Sequence, residues 1–219
     1  MTKFYKDKQQ IINWLEKHEV KSYKLVPDEQ YGFIVNVNGD IDLGNKKLLS
    51  ILIKFSKVTG SFNCSDNKLT SLEFSPQTVD GFYCNDNKLA SLEFCPQTVG
   101  SDFSCSGNQL TSLEFCPQTV SGNFYCNDNK LTSLEFCPQT VGGHFFCSYN
   151  RLISLEFSPH TVKGNFYCSD NPKLKEIQKI INFKLIYLEH KKLLATNLSD
   201  KLNDDLINDK SKKTTRIKI

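Results

Sequence analysis

The sequence of 219 residues lacks the features that mark membrane proteins and secreted precursors. It contains no uninterrupted apolar run of 18 or more residues, so we expect no transmembrane helix and no membrane partner. Residues 1–10 are charged and no apolar core follows them, which argues against a secretory signal peptide. The composition therefore favours a protein without a membrane anchor.

Residues that commonly perform catalysis are also scarce. Only four histidines occur, and they are scattered along the chain: His18, His144, His160 and His190. The sequence has no nucleophile elbow, no phosphate-binding glycine loop and no metal-binding triad. We therefore expect no catalytic residue, no cofactor and a protein that is not an enzyme.

What the sequence does contain is a motif of about 21 residues that occurs six times between residues 58 and 171, and a strict period of this length predicts a solenoid. Residues 120–139 give the clearest copy, V-S-G-N-F-Y-C-N-D-N-K-L-T-S-L-E-F-C-P-Q. An asparagine marks each copy: Asn67, Asn87, Asn108, Asn129, Asn150 and Asn171. A cysteine stands three residues before each asparagine: Cys64, Cys84, Cys105, Cys126, Cys147 and Cys168. A phenylalanine stands two residues before each cysteine: Phe62, Phe82, Phe103, Phe124, Phe145 and Phe166.

The motif resembles the leucine-rich repeat, whose signature L-x-x-L-x-L-x-x-N-x-L is matched here by V-x-G-x-F-x-C-x-x-N-x-L. The second half of each unit, L-T-S-L-E-F-C-P-Q-T-V, is similar to the short class of roughly 20–22 residues found in bacterial effectors and in phage- and virus-encoded repeat proteins. The match covers about half of the chain. The resemblance implies an α/β repeat: a right-handed solenoid with a parallel β-sheet on its concave face and with a cap at each end.

We divide the chain accordingly into three parts. Residues 1–58 are expected to form an N-terminal cap made of a helix and a β-hairpin, because an unprotected first coil would expose its core and its strand edges. Residues 59–171 are the six repeats. Residues 172–219 are expected to form a helical C-terminal cap with a basic tail, beginning with a helix over residues 173–183.

The N-terminal segment has its own local signals. Residues 10–17 have the apolar spacing of a short amphipathic helix, with Trp14 packed beneath the cap. Residues 31–37 alternate as a strand. Asn38-Gly39 then favours a type I′ turn, because both central residues of that turn need a positive φ, and residues 41–43 would return as the partner strand.

The nine cysteines occupy two positions of the repeat. Six belong to the row already described, and the other three form a second row with Ser75 and Ser158 at its ends: Cys95, Cys116 and Cys137. This pattern is typical of small apolar packing residues rather than of disulfides or zinc ligands, since no Cys-x-x-Cys pair occurs. A reduced, cytoplasmic setting is therefore expected, which would be the host cytosol if the protein is encoded by a virus.

The net charge of +3 is unevenly distributed. Residues 1–58 carry 10 Lys/Arg against 7 Asp/Glu, residues 59–171 carry 5 against 11, and residues 172–219 carry 12 against 6. Phosphate binding needs clustered lysine and arginine, so the acidic repeats argue against nucleic acid lying along the array.

Each Phe-x-Cys segment is expected to be a strand that buries its phenylalanine and its cysteine and exposes the residue between them. The exposed column reads Asn63, Tyr83, Ser104, Tyr125, Phe146 and Tyr167. Aromatic residues in a rigid, polar frame are typical of protein-binding faces. The fifth repeat differs most from the residues that stand at the same positions of the other repeats. The candidate partner-binding residues are Tyr83, Tyr125, His144, Phe146, Tyr149, Arg151 and Tyr167. The alternative is that the rings only stack on one another as cross-strand neighbours.

A second row of aromatic residues lies in the L-E-F-C-P segments: Phe74, Phe94, Phe115, Phe136 and Phe157. Alternation from the preceding leucine would bury this row, which is the arrangement we favour. An extended three-residue pitch would instead bury the second cysteine row and expose the phenylalanines. Glycine often occupies this position in similar repeats, which supports the second arrangement, and both remain open.

These observations favour a non-enzymatic protein–protein interaction module. The Asn-, Lys- and Ile-rich sequence and the phage-like repeats suggest a virus- or bacterium-encoded inhibitor that binds a host or defence protein. The alternative is a structural protein that assembles with itself, for example as a homodimer through an exposed phenylalanine row.

Overall fold

The computed structural model describes residues 4–174 and residues 191–192. Its main feature is a β-solenoid of about six turns, in which successive coils stack through parallel strands at the 21-residue period. Two sheets run along the coil, one of eight strands and one of seven. The predicted solenoid is therefore confirmed as a parallel-strand β-solenoid, but the described residues contain little helix, in contrast to the expected α/β repeat.

The seven-stranded sheet is built from the Phe-x-Cys segments. Its strands after the first are two residues long: β5 Phe62–Asn63, β7 Phe82–Tyr83, β9 Phe103–Ser104, β11 Phe124–Tyr125, β13 Phe145–Phe146 and β15 Phe166–Tyr167. The eight-stranded sheet receives one Thr-Val strand from each coil: β6 Thr78–Val79, β8 Thr98–Val99, β10 Thr119–Val120, β12 Thr140–Val141 and β14 Thr161–Val162. The rest of each described coil consists of turns and bends.

The N-terminal segment contains α1 Lys8–Lys17, β1 Tyr23–Asp28, β2 Gly32–Val37, β3 Ile41–Asp42 and β4 Lys54–Val58. The predicted helix is confirmed: Asp7 caps it by accepting a hydrogen bond from the Gln10 amide, and Trp14 is buried against the segment. β1 and β2 form an antiparallel hairpin, and β2 then pairs in parallel with β4.

The predicted hairpin at Asn38-Gly39 is wrong. β2 has β1 as its antiparallel partner, whereas β3 pairs in parallel with β5, so that Ile41 lies beside Phe62. The reason is that Ile41 and Leu43 stand 21 residues before Phe62 and Cys64 and occupy the same positions of the coil. This segment is therefore an additional, degenerate coil, and its repeat register overrides the local turn signal.

The core is a column of phenylalanine rings, one from each coil. Neighbouring rings from Phe62 to Phe166 have centroids 4.8–5.9 Å apart, and every ring is buried. The first-row cysteines and the repeat leucines are also buried. The prediction that these phenylalanines and cysteines fill the interior is confirmed.

The landmark asparagines join neighbouring coils. The Asn129 side-chain oxygen accepts a hydrogen bond from the Leu110 amide at 3.0 Å, and its side-chain nitrogen donates to the carbonyl oxygens of Cys105 and Cys126. The same pattern recurs at Asn87, Asn108, Asn150 and Asn171. The predicted scaffold role is confirmed, because each amide satisfies backbone groups that the strands leave unpaired.

Residues 172–174 form a short 3-10 turn, Pro172–Leu174. The remainder of the predicted helix over residues 173–183, and almost all of the predicted C-terminal cap, lies outside the described residues. Within the described part of the chain, no helix has the length and apolarity needed to cross a bilayer.

Candidate interaction surfaces

Three of the predicted residues form a continuous aromatic ladder on the seven-stranded sheet. The rings of Tyr125 and Phe146 have centroids 4.7 Å apart and lie 6° from parallel, and those of Phe146 and Tyr167 are 4.6 Å apart at 8°. This spacing is set by the distance of about 4.8 Å between paired strands. The rings cover each other's faces and leave their edges exposed, and Tyr167, last in the ladder, is 40% exposed.

Tyr83 lies on the same sheet but outside the ladder. The register places Ser104, which is buried, between Tyr83 and Tyr125. Burial and the charge of Asp102 raise the pKa of Tyr83, with smaller contributions from other residues including Asp40. Tyr83 also borders an open, polar depression of about 360 Å³ that contains Asp40 and Asp42. The structure therefore separates an acidic end of this sheet from its aromatic end.

His144 lies at the edge of the ladder. Its ring centroid is 5.9 Å from that of Phe146 and 6.0 Å from that of Tyr167. Its Nδ1 accepts a hydrogen bond from the Asn165 amide at 2.9 Å, and its own amide donates to Asn123 Oδ1 at 2.8 Å. Asp102 makes the equivalent bond to the Asn123 amide one coil earlier. His144 therefore supports the coil and also contributes to the aromatic end.

Tyr149 and Arg151 are exposed at the bend that follows the strand. Tyr149 is 57% exposed, and the charge of Asp170 raises the Tyr149 pKa, as does the hydrogen bond that the Tyr149 hydroxyl donates to the Asp170 carboxylate. No ring contact joins Tyr149 to the ladder within residues 4–174. Ile153 in the same coil was not among the predicted residues, although it is 64% exposed and stands where the other repeats have threonine or alanine. The sequence does indicate Ile153, because it differs from the residues at the same position of the other repeats, as Phe146 does.

The favoured burial of the second phenylalanine row is wrong for four of its five members. Only Phe74 is buried, and the others are 46–51% exposed: Phe94, Phe115, Phe136 and Phe157. Alternation fails because the segment is a turn. The Cys116 amide bonds to the Leu113 carbonyl at 3.1 Å, and Phe115 between them has φ 70°. Similar turns occur in the other coils, with φ 66–73° at Phe74, Phe94 and Phe136.

The second cysteine row is buried instead. Each thiol donates to the carbonyl oxygen of the exposed phenylalanine in the next coil, and the S···O distances are 3.0–3.2 Å: Cys95 to Phe115, Cys116 to Phe136, and Cys137 to Phe157. The row therefore holds neighbouring turns together. The alternative arrangement left open by the sequence predicted this burial, but the segment is a turn and not the extended three-residue pitch expected there.

The chemistry of the cysteines is that of packed thiols. Burial raises the pKa of Cys64 and of Cys95 to about 12 and that of Cys168 to about 11. Thiolate is the nucleophilic form, so these groups are unreactive near neutral pH. No disulfide links the nine cysteines, and residues 4–174 contain no cluster of His, Cys, Asp or Glu that could hold a metal ion.

The arrangement therefore offers two aromatic surfaces on one rigid coil, the ladder on the sheet and the phenylalanine row in the turns. Both suit contact with another molecule, since aromatic side chains dominate the energetics of protein interfaces. The structure shows a repeat of stacked coils, which agrees with a repeat protein. A comparison of the chain with protein-family models, with curated proteins and with solved structures found no significant match.

Proposed function

We propose that the chain is a non-enzymatic binding module that grips a protein partner with the aromatic ladder of Tyr125, Phe146 and Tyr167. The observation that carries the proposal is the ladder itself, three parallel rings held at 4.6–4.7 Å on a sheet. Rings that are already fixed lose little conformational entropy on binding, so their contact area contributes efficiently to affinity.

His144 would border the contact, and Tyr149, Arg151 and Ile153 would extend it along the fifth coil. All four stand in the coil that also supplies Phe146. Tyr83 would contribute at the acidic end, where Asp40 and Asp42 favour a partner with a complementary positive charge. The partner surface would therefore be apolar opposite the ladder and basic opposite Tyr83.

The repeat motif supports a finer proposal about the protein class. Its similarity to the short leucine-rich repeat favours a right-handed solenoid with the seven-stranded sheet on the concave face, an N-terminal cap over residues 1–58 and a C-terminal cap over residues 172–219. The phage-like repeats favour a virus- or bacterium-encoded inhibitor that occupies the surface of a host or defence protein in the cytoplasm. Its effect would come from blocking that surface, without catalysis.

The test is quantitative capture of partners from host lysate by the wild-type chain and by a Tyr125→Ala, Phe146→Ala, Tyr167→Ala variant. We expect the variant to lose the specific partner, because truncating aromatic anchors typically costs 2 kcal/mol or more of binding energy, about 30-fold in affinity. A matched control carries Thr98→Ala, Thr119→Ala and Thr161→Ala on the other sheet and should retain the partner. Recovery of the same proteins by all three chains would refute the ladder as the binding surface.

The exposed phenylalanine row favours a second candidate, a structural protein that assembles with itself. Mass measurement in solution separates the two functions. A monomer at all concentrations would remove the second candidate, whereas a dimer that persists on dilution would support it.

A further inference from the structure

The four exposed phenylalanines occupy the same position in four successive coils and are here called the phenylalanine row: Phe94, Phe115, Phe136 and Phe157. A phenylalanine ring that is about half exposed leaves on the order of 100 Å² in water, so the row presents roughly 400 Å². This total lies within the range of about 300–600 Å² found for the largest apolar patch on a typical monomer. It is also about half of what one side of a stable interface buries, so the row fits the apolar centre of an interface.

Local structure does not account for phenylalanine at these positions. The backbone at Phe94, Phe115 and Phe136 has φ 66–70°, a conformation in which glycine is relaxed and a bulky side chain is strained. The side chains do not fill the core either, because they are about half exposed. Within the described residues, the aromatic side chain therefore neither favours the turn conformation nor packs in the core.

The first coil shows how such a position is covered. Phe74 belongs to the same column but is buried beneath Phe4, at a centroid distance of 4.9 Å, and beside Tyr31, at 5.9 Å. The Lys6 ammonium lies 5.3 Å from the centre of the Phe4 ring. The chain therefore covers Phe74, the first residue of this column, with two aromatic rings, and a lysine lies near one of them.

In the coil of Phe74, a lysine also interacts with the glutamate that precedes this phenylalanine. Burial lowers the pKa of Lys54, and the charge of Glu73 opposes this shift, which shows that the two charges attract each other. In the next four coils the corresponding glutamates are exposed: Glu93, Glu114, Glu135 and Glu156. Within residues 4–174, no lysine or arginine forms an ion pair with any of these four.

We propose that the phenylalanine row binds a polypeptide segment of a partner protein that presents aromatic side chains together with lysine or arginine. The aromatic side chains would cover the row as Phe4 and Tyr31 cover Phe74, and the cations would face the four exposed glutamates. A second copy of the chain fits less well. It would bring phenylalanine, but the four residues that follow each member of its row include no lysine or arginine: they are Cys-Pro-Gln-Thr after Phe94, Phe115 and Phe136, and Ser-Pro-His-Thr after Phe157.

This inference is independent of the aromatic ladder, because the row lies in the turns and the ladder lies on the seven-stranded sheet. Either surface can therefore fail its test without affecting the other.

The test uses the full chain and a fluorescent peptide that contains Phe-Tyr-Lys, the sequence of residues 4–6, three times in tandem. Binding is measured by anisotropy. One protein variant carries Phe115→Gly and Phe136→Gly, which keep the turn because glycine accepts its positive φ. A second carries Glu114→Gln and Glu135→Gln. The ladder variant Tyr125→Ala, Phe146→Ala, Tyr167→Ala is the control.

We expect the glycine variant to weaken binding at least about tenfold, the glutamine variant to weaken it and reduce its salt dependence, and the ladder variant to bind as wild type does. A peptide with glutamate in place of lysine should not bind. Equal binding of the two peptides, or wild-type affinity in the glycine variant, would overturn the proposal. So would a wild-type dimer that the glycine substitutions convert to a monomer, or row-dependent binding to phosphatidylserine vesicles in place of the peptide.

Discussion

At the scale of single residues, the same amino acid has two opposite roles in this coil. Phe124 is fully buried in the core column, whereas Phe136, twelve positions later, is 48% exposed in a turn. Phe124 lies in a strand, and Phe136 has φ 66°. At these two positions backbone conformation, and not hydrophobicity, decides which phenylalanine is inside.

We therefore expect Phe124→Ala and Phe136→Gly to have very different effects on stability. Phe124→Ala opens a cavity between stacked rings and should cost about 3–5 kcal/mol of unfolding free energy. Phe136→Gly removes a half-exposed ring and relieves a strained φ worth about 1–2 kcal/mol, so its net effect should lie within about 1 kcal/mol of zero. Urea unfolding of both variants measures the difference. Similar losses for the two would contradict the assignment of Phe136 to the surface.

Ser75 is a buried residue that lacks the hydrogen bond made by Cys95 at the same position of the next coil. Ser75 begins the second cysteine row, and its hydroxyl is buried with no hydrogen-bond partner. The thiol of Cys95, in the next coil, reaches the Phe115 carbonyl at 3.1 Å. We have no physical account of why serine occupies position 75.

At the scale of one element, the asparagine bend is the unit that joins coil to coil. Asn129→Ala should cost about 3 kcal/mol or more, because it leaves the buried Leu110 amide and the Cys105 carbonyl without their partner, at about 1–3 kcal/mol each. The nearby Asn127 bonds Ser106 and Asp128 in a more exposed setting and serves as the matched control. Asn127→Ala should cost less than about 1 kcal/mol. Equal unfolding midpoints for the two variants would contradict the scaffold role of Asn129.

How much the sequence predicted also depends on the element. Period-two alternation correctly placed the Phe-x-Cys residues, because those segments are strands. The same rule failed at the turn of residues 113–116, where a positive φ at Phe115 rotates its side chain outward. In a turn of this type, glycine normally occupies the position with positive φ. Phenylalanine occupies it here, so the segment does not have the sequence pattern typical of such a turn.

The candidate site follows the same logic. Register within a regular repeat brings Tyr125, Phe146 and Tyr167 together, so the ladder could be predicted from the 21-residue period alone. The separation of Tyr83 also follows from the period, since Ser104 occupies the intervening coil. The exposure of the phenylalanine row could not be decided from the sequence, because strand alternation and a three-residue pitch predict opposite arrangements.

At the scale of the whole molecule, the repeat multiplies each local property by the number of coils. Nine thiols are buried, and burial holds the pKa values of eight of them above the usual range of about 8.5–9: Cys64, Cys84, Cys95, Cys105, Cys116, Cys126, Cys147 and Cys168. In the unfolded chain the same thiols would titrate near that usual range. The folded chain therefore keeps protons that the unfolded chain loses as the pH rises.

This difference makes the unfolding free energy fall as the pH rises above about 8.5, because the unfolded state then binds fewer protons. The thiol contribution is fully present at pH 7 and is lost towards pH 11–12, where the pKa values of Cys168, Cys64 and Cys95 lie. Each thiol contributes a slope of up to about 1.4 kcal/mol per pH unit. Eight thiols together give up to roughly 11 kcal/mol per pH unit, comparable to the whole stability of a typical domain.

We therefore expect the thermal unfolding midpoint to be nearly constant from pH 6 to pH 8 and to collapse between about pH 9 and pH 10.5. Circular dichroism melts under argon with a phosphine reductant measure this without oxidation of the thiols. A variant with Cys95→Ser, Cys116→Ser and Cys137→Ser keeps the six first-row thiols and uses the residue found at positions 75 and 158 of the same row. Its alkaline slope should be shallower by roughly a quarter, because Cys95 and Cys116 are two of the eight thiols whose pKa is raised by burial. An unchanged slope would mean that the second cysteine row is not protonated and buried in solution.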